Sequence, residues 1–242
     1  MKKILFLVAS VLVIVGCSKS EDDKLTLSNN NVTLYTEDTS EITASEKSTW
    51  SSDDEFVATV ASNGKITANH LGKTIITAKS DDGEAKCEVT VKARYNTYTE
   101  PVFEFGANKS VIKSKESRTI LMEKEESLLF KPETSSIQGV SYLFENDKMY
   151  SIGIFVELPS SLEVTKFLIE RYLVIAAGVG NIPGIMLNNL PAKATMEILI
   201  AMHPENWYVL VIYRPYDKSN TRSIIEESIM ENKFKELYNS MK

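Results

Sequence analysis

The stretch Trp50-Ser51-Ser52-Asp53-Asp54-Glu55-Phe56-Val57-Ala58-Thr59-Val60-Ala61-Ser62-Asn63-Gly64-Lys65-Ile66-Thr67-Ala68 decides how the first part of the chain folds. Two short strand-like runs, Val57 to Val60 and Lys65 to Ala68, flank Asn63-Gly64. An Asn-Gly pair between such runs is a strong hairpin signal, because a tight primed turn needs positive φ at both central positions. Outward from it, Thr74-Ile75-Ile76-Thr77-Ala78 and Ala85 to Val91 continue the pattern, with Asp82-Gly83 as a second turn between them. In the last run Ala85, Cys87, Val89 and Val91 share one face, while Lys86, Glu88, Thr90 and Lys92 take the other. That is the period of a half-buried strand. Val32-Thr33-Leu34-Tyr35 adds a strand on the N-terminal side. Residues 25–93 therefore read as an all-β, antiparallel sandwich.

Four of these motifs in order resemble the bacterial immunoglobulin-like group 2 module: Trp50-Ser51-Ser52-Asp53, Val57 to Val60, Asn63 to Ala68, and Gly72-Lys73-Thr74-Ile75-Ile76-Thr77-Ala78. The resemblance covers roughly 70 residues and implies a small β-sandwich of the kind used as a spacer or adhesive module on bacterial surfaces. It implies that Trp50 is the aromatic plug of the core and that Gly72 sits in a turn before the next strand. Asp53-Asp54-Glu55 and Asp81-Asp82 lack the spacing of a calcium loop and read as solvated turns. His70 reads as a surface-loop residue.

The N-terminus carries a second resemblance. Lys2 and Lys3 precede an apolar run from Ile4 to Val15, broken only by Ser10. This run is too short to span about 30 Å of hydrocarbon, and it suits a secretory signal segment. It ends at Ile14-Val15-Gly16-Cys17, which resembles the lipobox of bacterial lipoproteins. The resemblance implies a signal peptide over 1–16, cleavage between Gly16 and Cys17, and lipidation of the Cys17 thiol. Several acyl chains on one residue anchor stably where a single chain binds only marginally. Residues 17–24 follow as an acidic tether. Lys19 with Glu21-Asp22-Asp23 is similar to an export tag for the outer face of the outer membrane, and it also suits a plain solvated linker. The expected location is the outer membrane, lipid-anchored, at the cell surface. With Cys17 committed to the anchor, Cys87 has no disulfide partner and reads as a small buried hydrophobe.

Past Arg94 the texture changes. Residues 94–101 read as an extended linker, since Pro101 disfavours helix before it. Residues 102–242 read as an α+β domain, an antiparallel sheet with helices on one face. Ser160 and Glu163 have the spacing of a capping box ahead of Val164, Phe167, Leu168 and Tyr172 at helical spacing. A shorter helix starts at Asn108 and carries Val111. Ser223 and Glu226 repeat the capping signal before the stripe Met230, Phe234, Leu237 and Met241. Strands Val140 to Phe144 and Met149 to Val156 flank a four-residue turn; Thr195 to Met202 and Tyr208 to Tyr213 flank the five residues His203 to Trp207. The spacing from Asn108 to Met149 resembles that from Ser160 to Tyr208. That suggests a duplicated unit, matched by pattern rather than by identical residues. The face without helices would be open to ligand.

Composition narrows the chemistry. The 242 residues carry 27 Lys+Arg against 33 Asp+Glu, which argues against nucleic acid as a partner. Two Cys and two His leave no cluster for zinc and no expectation of any metal or cofactor. His203 reads as a turn residue beside Pro204, with no nucleophile elbow anywhere. Gly178-Val179-Gly180 lacks the remaining features of a dinucleotide loop and reads as a flexible connection. Tyr142, Phe144, Tyr150, Tyr208, Tyr213 and Tyr216 read mainly as core, and Trp207, at a turn edge, is the candidate ligand contact. The expectation is a non-enzymatic, lipid-anchored binding or adhesion protein with the Ig-like module as stalk and the α+β domain as head. A glycan or an envelope protein is the expected ligand. The alternatives are a structural subunit docked to an envelope partner and a glycan hydrolase working through two carboxylates.

Overall fold

The computed structural model describes residues 24–178, 184–203, 208–218 and 224–240, with backbone alone over 224–229. The signal segment, Gly16, Cys17, most of the tether, Trp207, Ser223 and Met241 lie outside the described residues. No helix among those described is long and apolar enough to cross a membrane.

Seven strands build the first domain: β1 Asn31–Tyr35, β2 Thr39–Glu41, β3 Thr49–Ser52, β4 Ala58–Val60, β5 Lys65–Ala68, β6 Gly72–Ser80 and β7 Gly83–Lys92. One sheet has the order β1-β7-β6-β3 and the facing sheet β2-β5-β4. Alternation decides what is buried. Val32, Leu34, Ile76, Cys87, Val89 and Val91 from the first sheet meet Ile42, Ala58, Ile66 and Ala68 from the other side. One pair departs from the all-antiparallel expectation, because β1 runs parallel to β7. The long excursion between them supplies the crossover that a parallel pair requires. The turn chemistry also differs from expectation. Of Asn63 and Gly64 only Gly64 has positive φ, at 82°, while the Asn63 side chain accepts from the Lys65 N–H at 3.2 Å. Trp50 is half-buried and packs at the margin of the core rather than plugging its centre. The space beside it is closed by Gly64, where a Cβ would fall 2.0 Å from the Ile42 carbonyl oxygen.

The second domain opens with helix α1, Lys109–Lys115, capped by the Asn108 carboxamide accepting from the Val111 N–H at 3.1 Å. Ile112, rather than Val111, is its buried anchor. Strands β8 Ile120–Lys124, β9 Ser127–Phe130, β10 Ile137–Glu145 and β11 Lys148–Glu157 follow. Helix α2, Ser161–Ile169, then precedes β12 Leu173–Ala176, β13 Gly184–Leu187, β14 Met196–His203 and β15 Tyr208–Pro215. The element order thus repeats as one helix and four strands. All eight strands form one sheet, β12-β13-β14-β15-β11-β10-β9-β8, with the two four-stranded halves meeting at β15 and β11. The turn between β10 and β11 is tighter than expected. Asn146 and Asp147 both take positive φ, so Glu145 pairs directly with Lys148 across a two-residue primed turn. The expected capping box of α2 does not form, because Leu158–Ser160 is a 3-10 turn and the Ser160 side chain makes no cap bond.

The expectation of helices on one face is corrected. Ile112 of α1 and Val164, Phe167 and Leu168 of α2 cover one side of the sheet. Helix α3, Ile224–Asn239, covers the other with Met230, Phe234, Leu237 and Tyr238, over Leu143, Phe155, Leu210 and Ile212. The physical reason lies in the central strands, whose residues are buried on both faces. Such strands need cover on each side. Gly153 marks the contact. A Cβ there would fall 2.5 Å from the Phe234 ring, so the missing side chain forms the slot that the ring fills.

Residues 94–107 have no regular structure, yet they are no free spacer. Tyr95, Tyr98, Val102, Phe103 and Phe105 lie on the α1–α2 face as part of its core. Buried polar contacts bolt them down. The Tyr98 and Tyr213 hydroxyls lie 2.6 Å apart. Glu133 accepts from the Thr99 N–H at 2.8 Å and pairs with Arg118, whose side chain is buried and also pairs with the buried Glu116. Tyr142 donates to Glu116 and accepts from the Val102 N–H.

Candidate functional site

Helix α2 is too short to cover the whole sheet. Val164, Phe167 and Leu168 point into the core, which leaves Thr165 and Ile169 facing the β12 edge. Beneath them the strands continue past the end of the helix. Val174 and Ala176 of β12, Gly184 and Met186 of β13, and Ile200 and Met202 of β14 form the floor of a pocket of about 280 Å³. Its lining is almost entirely apolar, and Ile169, Val174 and Met202 are 41%, 45% and 54% exposed. Gly184 shapes one end, since it lets the Gly178 backbone approach within 3.2 Å of where a Cβ would stand.

The other side of Ile169 faces a polar cleft of about 240 Å³ at the junction of the domains, lined by Thr36, Glu37, Arg94, Tyr95, Lys166 and Glu170. Glu170 is the structural member of this set. Its buried carboxylate accepts the Arg94 N–H at 2.9 Å and the Tyr95 N–H at 3.0 Å. Its carbonyl accepts the Leu71 N–H at 2.9 Å from the first domain. Arg94 reaches back to Asp38 at 2.5 Å and lies over the Tyr35 ring. Lys166 lies over the Tyr95 ring and has no carboxylate partner among the described residues. The Thr36 hydroxyl is buried and makes no hydrogen bond among the described residues.

His70 belongs to this junction, not to a free surface loop. Its ring stacks on Phe56 at 4.1 Å and its Nδ1 lies 2.8 Å from the Phe56 carbonyl oxygen. Asp54 closes its own turn by accepting from the Phe56 N–H at 3.1 Å. Among the described residues no three His, Cys, Asp or Glu side chains cluster to hold a metal. Cys87 is fully buried, and burial pushes its thiol up. Tyr142, Tyr208, Tyr213 and Phe144 are buried in the core and present no face to a ligand. His203 lies 2.9 Å from Glu231 of α3, a tertiary contact rather than a free turn position.

The apolar groove was missed in the sequence. Its signal is the run Leu173-Val174-Ile175-Ala176-Ala177, apolar without alternation, on what proves to be an edge strand.

Comparison with known proteins bears on the first domain. Residues 22–91 match the family model of the bacterial Ig-like domain (group 2). A relative described as an alpha-L-arabinofuranosidase, from Bifidobacterium longum subsp. longum, is 39% identical over 71 residues, which is 26% of this chain and 7% of that protein. The chain therefore spans only a small part of that relative's length. A crystal structure of an EHEC O157:H7 intimin mutant aligns over 52% of this chain and 90% of its own, at 13% identity and a TM-score of 0.27.

Proposed function

We propose that this is a lipid-anchored protein of the bacterial cell envelope, displayed at the cell surface. Cys17 carries the anchor, the Ig-like domain serves as the stalk, and the α+β domain serves as a ligand-binding head. The observation that carries the binding role is the open apolar groove between α2 and strands β12–β14, with Ile169, Val174 and Met202 exposed along it. Large apolar side chains gathered at one concave place mark a site of recognition. The match of residues 22–91 to the Ig-like family supports the stalk. The lipobox-like Gly16-Cys17 after an apolar run supports the anchor.

A binding role suits the groove better than hydrolysis. Among the described residues no carboxylate lines the apolar pocket, and in the adjoining cleft Glu170 is occupied by backbone amides. A second reading, docking to an envelope partner, is favoured by Ile175, 49% exposed on edge strand β12. Protease treatment of intact cells tests the proposal. The head should be released from wild-type cells, and Cys17→Ala should move the chain from the membrane to the soluble fraction. A chain fully protected in intact cells would place it beneath the outer surface. A Cys17→Ala chain still in the membrane would remove the anchor.

A further inference from the structure

The apolar pocket and the polar cleft lie on either side of Ile169, which walls both, and Lys166 follows Thr165 on the same helix, so the cleft begins one residue from the pocket. We infer that the two act together as one groove over Ile169 and take a small amphiphile, an alkyl or acyl chain ending in a carboxylate or phosphate. The chain would lie over Met186 and Met202, and the anionic group would lie at Lys166 and Thr36. This rests on the groove being the ligand site.

Three observations assign the polarity. The first is charge. Of the cations facing the cleft, Arg94 is paired with Asp38, whereas Lys166 has no carboxylate partner among the described residues. The Glu170 carboxylate is turned to the Arg94 and Tyr95 N–H groups, which leaves Glu37 as the acid at the rim. The second is the Thr36 hydroxyl, buried in the cleft wall without a hydrogen-bond partner among the described residues. A buried polar group without a partner is costly, and an acceptor from a ligand would satisfy it. The third is the pocket itself. Its volume sits near the lower end for small-molecule sites, about 300–1,000 Å³, so it suits one short chain rather than a folded partner. Two methionines in its floor adapt to chains of differing shape.

Octanoate, octanol and octylamine, titrated into the full chain labelled at the methionine methyls, test this. All three share the chain and differ only in the head. Octanoate should shift the Met186 and Met202 methyl signals and bind about threefold tighter than octanol, the increment of a part-exposed ion pair. Octylamine should bind more weakly than either. Lys166→Gln should abolish the preference for octanoate and leave octanol unchanged. Ala176→Phe, at an exposed position in the floor, should weaken both. Equal affinities for octanoate and octanol would overturn the assignment of the anionic end. Unmoved Met186 and Met202 signals with every probe would overturn the amphiphile altogether. Release of the head from intact cells by protease would then still stand, so the failure of the ligand class is separable from that of surface display.

Discussion

His70 shows what a single side chain does at the seam between the domains. Its ring lies flat on Phe56 and bonds to the Phe56 carbonyl. Burial holds the imidazole below its ordinary value of 6.5, more than the carbonyls of Phe56 and Tyr172 raise it. The folded chain therefore binds fewer protons here than the unfolded chain. The contribution of His70 is fully present above pH 6.5 and is lost as pH falls through the lower folded value. Urea midpoints of the wild type should drop on acidification through this window. His70→Gln should flatten that drop, and an unchanged pH dependence in the variant would exclude His70 as its source. In the sequence this residue is one histidine in a polar stretch, because stacking on a residue fourteen positions earlier leaves no local trace. Cys87 is the opposite case. Its burial follows from strand alternation alone, which requires no knowledge of the partner sheet.

Among elements, α3 is the one whose place was least legible. Met230, Phe234 and Leu237 make an apolar stripe that any helix in a core would show. Nothing in that stripe says which face of the sheet it covers. Gly153 decides it, since only a residue without a Cβ leaves room for the Phe234 ring. Gly153→Ala should cost about 1–3 kcal/mol through overpacking, and Phe234→Ala about 3–5 kcal/mol through the cavity it leaves. In the double variant the costs should fall short of their sum, because Phe234→Ala removes the atoms that a Cβ at position 153 would strike. Denaturant unfolding of the three variants measures this; strict additivity would mean that the ring does not occupy the slot. The α2 helix shows the converse. Its existence is legible from Val164, Phe167 and Leu168, while its start is displaced by the 3-10 turn at Leu158–Ser160. Pro159 sets that turn, and the Ser160 side chain, held in the turn, makes no cap bond.

At the scale of the whole molecule, Glu170 joins what the sequence separates. Its carboxylate holds the connecting segment and its carbonyl holds Leu71 of the sandwich. Leu173 and Leu190 of the second domain pack against the sandwich core. A seam of this kind should make the two domains unfold together. Glu170→Ala removes a charged acceptor from two part-buried amides at a cost of about 1–3 kcal/mol, and calorimetry should then show a second, separate transition. A single transition in both proteins would show that the apolar contacts of Leu173 and Leu190 are enough to couple them. The sandwich and the places of its turns were readable from the sequence, though not the conformation at Asn63, because strand period and turn residues are local properties of the chain. The groove, the second helical cover and the clamp were decided only in three dimensions. Each depends on residues from distant segments meeting: Thr165 with Met202, Gly153 with Phe234, Glu170 with Arg94 and Leu71. No spacing along the chain records which surfaces the sheet order will bring together.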